Sequence, residues 1–454
     1  LLWRSGDHEL GLTLQSFELP RLNRYNELVR GFGNAVENEE SVFEPNRRRF
    51  AQLRYHVNRL GWADTLELMA GQQIIDDDRR TRGVGASFRE YEDNSSELSG
   101  LSAVASRALG DHQLTLGFDF YRDKVRSRRE REVIATGVLS ARPARFPDGS
   151  VQRELGLFIN DDWRIGEQLD LIAGLRWTRY GIDLPAADRG VGIDSSTADL
   201  TGQLGLGWSF SEDWKLAANL GRGFRAPNVF DYSTLGDRPG NRFNEPNTDL
   251  GPETVLTGDL GLRFVGQTLA ADVTVFATRY RDRLVSVNTG RRTSTGRIIV
   301  RTENIGESRL HGVESGLRWQ PAVNWQLRAT LNWTWAADEL DGGRVPANRT
   351  PPLNGRIDLE HQWTEALSVG ARATFAARQD RLAPSDLTDN RINPRGTGGY
   401  AVYDLGVRYA PPESAWEAAI DFDNLFDKAY REHGSGIDGV GRGVVLRLGT
   451  GFDG

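Results

Sequence analysis

This 454-residue sequence predicts an all-β fold, a transmembrane antiparallel β-barrel, and three observations carry that reading. Apolar and polar residues alternate with a two-residue period in roughly 18 or 19 segments, against about 5 or 6 strands in a typical globular sheet. The connections alternate as well, short then long, as in outer-membrane barrels with short periplasmic turns and long outer loops. No apolar run approaches the ~18 residues of a membrane-spanning helix. A barrel strand shows lipid only every second side chain and averages as polar, which fits a mean hydropathy of −0.50.

Composition agrees. Fifty-one Gly and 12 Trp suit many short strands and turns, a net charge of −7 disfavours a nucleic-acid binder, and the absence of Cys fits export. The chain opens on LLWRSGDHEL, in the tail of what reads as a strand, with neither an initiator Met nor a signal peptide. A longer precursor is therefore expected.

In chain order the strands are HELGLTLQSFE, FAQLRYHVN, TLELMAGQQI, LSGLSAVAS and HQLTLGFDFY, then a pair spanning 151–184. They continue as LTGQLGLGWSF, WKLAANLGRGF, TVLTGDLGLRF, TLAADVTVFATRY, LHGVESGLRW and WQLRATLNWTW, and close with NGRIDLEHQW, LSVGARATFA, YAVYDLGVRY, WEAAIDFDNLF and GVVLRLGTGF. The 151–184 pair is the sharpest test. Leu155, Leu157, Ile159, Trp163 and Ile165 take one phase, and Gln152, Glu154, Asn160, Asp162 and Arg164 the other. Arg153 and Arg179 break the apolar phase only at the loop end, where charge at a bilayer's edge is tolerated. Trp163 and Trp177 fall near opposite rims, suiting the headgroup layers. Long outer loops are expected at Asp76 to Glu97, Arg122 to Ser150, Pro185 to Thr197 and Arg378 to Gly399. The runs Arg47 to Arg49 and Arg126 to Arg131 are placed in or beside such loops, as a solvated or lipopolysaccharide-facing rim.

The stretch from Gly221 to Glu253 joins two strands through a polar crown containing Pro227, Pro239, Pro246 and Pro252, which stop either strand from continuing. In GFRAPN, Phe224 is available to pack and Arg225 offers a fork of donors for an acidic wall residue or an anionic ligand. NEPNTDLGPE reads as turn architecture, with Glu253 restarting a strand.

With these pieces placed, the sequence resembles the TonB-dependent outer-membrane receptors over nearly its whole length. GFRAPN at 223–228 and NEPNTDLGPET at 244–254 are similar to the family's FRAP and NPxLxPE boxes, in Phe224, Arg225, Ala226 and Pro227, then Asn244, Pro246, Leu250, Pro252 and Glu253. ENIGESRLHGVESGLRW at 303–319 resembles its Asn-Ile-Gly and Gly-Val-Glu segment, in Asn304, Gly312 and Glu314. DFDNLFDKAYR at 421–431 and the closing strand resemble its C-terminal signature, in Asn424, Leu425, Phe426, Asp427, Tyr430 and Phe452.

The resemblance implies a plugged barrel of roughly 22 strands, here one partial domain over 1–454 without the N-terminal plug, its TonB box and the first few strands. It implies TonB-driven uptake of a scarce large solute, an iron–siderophore or haem-type complex, across the outer membrane of a Gram-negative bacterium. The expected partners are the TonB complex through the plug, outer-membrane lipid and lipopolysaccharide, and a ferric chelate or haem-like ligand. No nucleic acid, cofactor or resident metal is expected, and a monomer is. Candidate ligand contacts are Arg225, Asn228, Asp231, Tyr232, Arg242 and His433. Residues 228–245 contain no His, so Tyr232 is the one residue there suited to haem iron. Of the six His, only His433, in the last outer loop, is a candidate ligand; His8, His56, His112, His311 and His361 sit on strands or turns. Enzyme motifs are missing: GRGFRA opens no helix, and HExxH, Cys clusters and GxSxG do not occur. The alternatives are a passive porin or adhesin barrel, and a soluble β-protein in which a second sheet covers the Leu155 to Ile165 band.

Overall fold

The computed structural model describes residues 1–33, 35–186, 192–238, 241–340 and 342–450. Phe452, singled out above, lies outside them. Two-residue alternation forms strands because successive side chains leave opposite faces of a pleated backbone. The first are β1 (Leu2–Ser5), β2 (His8–Leu19), β3 (Leu22–Asn23), β4 (Asn38–Leu60), β5 (Ala63–Gly83), β6 (Phe88–Leu109), β7 (His112–Val133) and β8 (Val138–Arg142). There follow β9 (Val151–Ile165), β10 (Leu169–Leu184), β11 (Ile193–Ser209), β12 (Trp214–Arg225), β13 (Gly236–Arg238), β14 (Arg242–Glu245), β15 (Glu253–Val265) and β16 (Leu269–Arg292). The last are β17 (Ile298–Ala322), β18 (Trp325–Leu340), β19 (Gly343–Pro346), β20 (Asn354–Gln362), β21 (Leu367–Ala376), β22 (Tyr400–Tyr409), β23 (Trp416–Asp423) and β24 (Gly443–Thr450). One-turn helices α1 (Tyr25–Leu28), α2 (Val229–Ser233) and α3 (Pro384–Leu387) sit in the connections.

Two compact units divide the chain. One comprises Leu1–Gly205, Leu220–Leu256 and Tyr280–Glu307, the other Leu206–Asn219, Thr257–Arg279 and Ser308–Gly454. Within the first, β1, β2, β4, β5, β6, β7, β9 and β10 pair in that order, each antiparallel to the next. Within the second, β18, β20, β21, β22, β23 and β24 do the same. Tight turns need left-handed backbone, which glycine adopts without a Cβ clash: Gly110 (φ 63°) joins β6 to β7, and Gly166 (φ 65°) joins β9 to β10.

The register fixes the two faces. One row runs Leu10, Tyr55, Leu68, Ala103, Phe118, Leu157, Trp177 from β2 to β10. Leu157, Ile159 and Trp163 are 48, 44 and 38% exposed, so among the described residues no second sheet covers the band, against the soluble reading. The opposite face carries Arg54, Met69, Ser102, Asp119, Gly156 and Thr178 in one row. There the Arg176 guanidinium makes a bidentate pair with Asp119, at 2.7 and 2.8 Å. It crosses Gly156, where a Cβ would lie 2.0 Å from it.

Two of the expected loops are in large part strand. β5 runs to Gly83 and β6 begins at Phe88, so residues 84–87 are the whole connection. β7 likewise continues to Val133, and Arg47 to Arg49 lie inside β4. The register sets Arg79 opposite Glu92, Glu90 opposite Arg131, and Asp93 opposite Arg128. Opposite charges facing across a ladder stabilise pairing as apolar neighbours do. Alternation of charge therefore extends the strands where alternation of hydropathy has ended.

Candidate functional site

The connection from β12 to β15 forms a small core of its own. Asn228 caps α2: its side chain accepts from the Asp231 amide at 3.0 Å, while the Asp231 carboxylate accepts from the Asn228 amide at 3.0 Å. This reciprocal pair satisfies two amides that a helix start leaves open. Arg225, last residue of β12, donates to Asp231 at 2.6 Å and to Glu253 at 2.8 Å. Glu253 also accepts from the Leu284 amide at 2.7 Å. The arginine of the FRAP-like box therefore ties the loop's exit, its helix and its re-entry strand together.

Beneath α2, Val229, Tyr232 and Leu250 pack with Ile182 and Leu184 of β10. Tyr232 is 5% exposed and donates its hydroxyl to the Leu250 carbonyl at 3.0 Å. Burial also pushes its phenol above the ordinary range. The hydroxyl of Tyr232 is thus committed to the loop's own backbone. Asn304 acts as a clamp. Its side chain accepts from the Gly251 amide at 2.8 Å and donates to the Gly251 and Asp282 carbonyls at 3.0 and 2.6 Å. Arg242, 5% exposed, lies in β14, which runs parallel to the start of β17.

α2 buries Val229, Asp231, Tyr232 and Ser233, yet leaves Phe230 47% exposed. Phe230 lines a cleft of about 290 Å³ with Phe146, Ile75 and Val125 as apolar wall and Asn94, Asn228 and Gln152 among its polar edges. The two phenyl rings stand 6.5 Å apart, tilted by 50°. Gln152 is occupied, its oxygen accepting from the Val229 amide at 3.1 Å and from the Tyr180 hydroxyl. Arg145, next to Phe146 in the chain, is matched by Glu92 at 2.7 and 3.0 Å. Sequence reasoning found Asn228 but missed Phe230 and Phe146. The readable signal was Phe230, a large apolar residue inside a polar crown. Its partner Phe146 comes from another connection.

His433 belongs to the other unit. Its Nδ1 is 2.9 Å from the Thr397 hydroxyl, while Nε2 is buried without a hydrogen-bond partner. Burial holds the imidazole below its usual pKa; Asp386 opposes that shift and Arg349 adds to it. In the same unit the C-terminal box is turn architecture. Asn424, at φ 46°, is 3% exposed and donates to the Lys428 and Val440 carbonyls at 2.9 and 3.0 Å. Asp427 accepts from the Arg442 amide at 3.0 Å, and the Tyr430 ring lies where a Cβ on Gly439 would sit. Leu425 and Phe426 are exposed. Gly312 admits the Phe276 ring; a Cβ there would be 2.3 Å from the Trp333 carbonyl. Glu314 is exposed.

The sequence matches the family described as "TonB dependent receptor-like, beta-barrel" over residues 3–425. The chain belongs to that family. This TonB-dependent receptor barrel is 25% identical over 334 residues to the ferric enterobactin receptor of Pseudomonas aeruginosa, covering 67% of this chain and 42% of the relative. It is 22% identical over 320 residues to the pesticin receptor of Yersinia enterocolitica, covering 64% of this chain and 42% of the relative. The chain thus spans less than half the length of these curated relatives. Among solved structures it is similar to the copper transporter OprC (TM-score 0.82, 19% identity, 98% of this chain and 69% of that one). It is also similar to the unliganded ferric citrate transporter FecA (TM-score 0.72, 16% identity, 97% and 67%). These likenesses show the fold. The family is one of receptors and transporters of the Gram-negative outer membrane, where the exposed apolar band meets lipid.

Proposed function

We propose that residues 1–454 are the partial barrel wall of a receptor that imports a ferric chelate of the siderophore type, driven by TonB, and that performs no catalysis. The carrying observation is the cleft beside the FRAP-like box. An otherwise buried helix presents one phenyl ring to it, and Asn228 stands at its edge. Such a surface suits one arm of a bulky organic ligand better than a bare ion, because apolar walls with few polar groups fix orientation by shape. The ferric enterobactin receptor among the relatives supports an iron chelate as the cargo. In this reading Arg225 and Asp231 hold Asn228 and Phe230 in place, and Tyr232 and Arg242 are scaffold. TonB, lipid and lipopolysaccharide are the other partners proposed.

The test is uptake by the full-length gene in a receptor knockout, with and without TonB, across iron chelates, haem and cobalamin. Uptake of one ferric chelate only when TonB is present supports the reading; unselective uptake without TonB makes the protein a passive pore. Phe230→Ala is expected to weaken binding of that chelate about tenfold, the scale of losing one aromatic contact. Folding should be little changed, since the ring is half-exposed.

A further inference from the structure

β8 is the outermost strand of the charged extension. It pairs antiparallel with β7, Val138 opposite Val133 and Arg142 opposite Arg129, and the other edge of β7 there holds β6. Among the described residues β8 has no second pairing, and its residues are exposed throughout. In such a strand alternate residues point N–H and C=O away from the partner, leaving an open ladder. Exposed edges are commonly blunted by Lys, Pro or a bulge. Val138–Arg142 contains no Lys, Pro or bulge and its register with β7 is unbroken; its shortness, five residues ended by Arg142 and followed by Pro143, limits the docking segment to a few residues. Val138 and Leu139 are more than half exposed.

Charge supplies an independent observation. The neighbouring arginines are matched: Arg129 and Arg131 by Glu90, Arg145 by Glu92, and Arg89 by Glu40 and Glu132. Arg142 has no carboxylate partner among the described residues, and it stands opposite another arginine. Arg129 is itself matched by Glu90, so Arg142 carries the uncompensated charge, and a carboxylate arriving along the open edge would pair with it.

We propose that the free edge of β8 is a docking strand for another protein, which adds an extended segment to the sheet and sets an acidic side chain against Arg142. Backbone hydrogen bonds supply affinity in this mode and the side chains supply selectivity. The partner's chemistry is thereby defined: a strand-forming segment, apolar where it meets Val138 and acidic where it meets Arg142. This function is separate from the transported solute.

The experiment uses the purified full-length receptor in detergent and a labelled synthetic peptide alternating Val and Thr with one Glu, read by fluorescence anisotropy. Arg142→Glu should weaken binding about tenfold or more, and a peptide with Lys in place of its Glu should restore it. Ala141→Pro, which removes an N–H pointing away from β7, should lower binding of both peptides. Heat-modifiable electrophoretic mobility confirms that each variant is folded. An undetectable wild-type signal, or a charge reversal with no exchange of preference, overturns the proposal. So does efficient dimer formation by Ser140→Cys, since residues 1–454 hold no other thiol and the occupant would then be a second copy.

Discussion

β4 to β7 each cross from an apolar band into a charged extension without a break in the backbone, and the two regions hold together by different means. In the band, Leu68, Ala103 and Phe118 succeed one another across the register, and the solvent that favours them is lipid. In the extension the same ladder carries Arg79, Glu92 and Arg129. Glu92 is 4% exposed and is shared between Arg145 at 2.7 Å and Arg129 at 3.8 Å. Backbone pairing is common to both. The difference teaches that strand length here is set by continuity of side-chain pairing, whichever chemistry supplies it, while the membrane selects only the lower part.

The largest effect is expected from Glu92→Gln, which leaves Arg145 and Arg129 buried without their shared carboxylate. Removing one partner of a buried ion pair costs about 3–5 kcal/mol. Limited proteolysis should then cut within residues 84–150 while the band stays folded; loss of the whole barrel would mean that the two regions are not separable. Next is Leu157→Lys, a charge on the lipid face, costing about 2–4 kcal/mol at mid-bilayer. It should abolish outer-membrane insertion, and a soluble, folded variant would refute the lipid assignment.

A smaller, conditional effect belongs to His433, whose unpaired ring nitrogen contrasts with the matched charges of the extension. Its folded pKa lies below the usual value of 6.5, so the unfolded connection binds more protons as pH falls through that value. Stability contributed by His433 is complete above pH ~6.5 and lost on acidification. Hydrogen-exchange protection factors in residues 424–442 should fall between pH 7 and 5, and His433→Gln should remove that His-specific part. The smallest effect is expected for Arg128→Ala. Its side chain is 68% exposed beside Glu130, and exposed pairs are worth at most about 1 kcal/mol. A larger loss of thermal stability would show that the outer face of the extension also depends on ion pairing.

Much of the fold was legible because alternation is local. The 151–184 hairpin pairs as its pattern required, Ile165 opposite Leu169 and Leu157 opposite Trp177. Reading the charged stretches at 76–97 and 122–150 as loops went wrong because hydropathy alone cannot register a period made of Arg and Glu. The site was legible in part. Arg225, Asn228 and Asp231 do meet, since they lie within one short loop. The phenyl pair was not legible, because Phe146 and Phe230 come from different connections.

The sequence by itself determined the strands, the face each turns to lipid, and the boxes that mark the family, since all of these follow from spacing along one chain. Only the tertiary structure decided that Asn304 clamps Gly251, that Tyr232 is occupied, that Phe230 is left bare and that Arg142 lacks a carboxylate among the described residues. Those are questions of which distant group satisfies a donor, a charge or an apolar surface. Burial and hydrogen bonding between residues far apart in sequence answer them, and no local pattern encodes the answer.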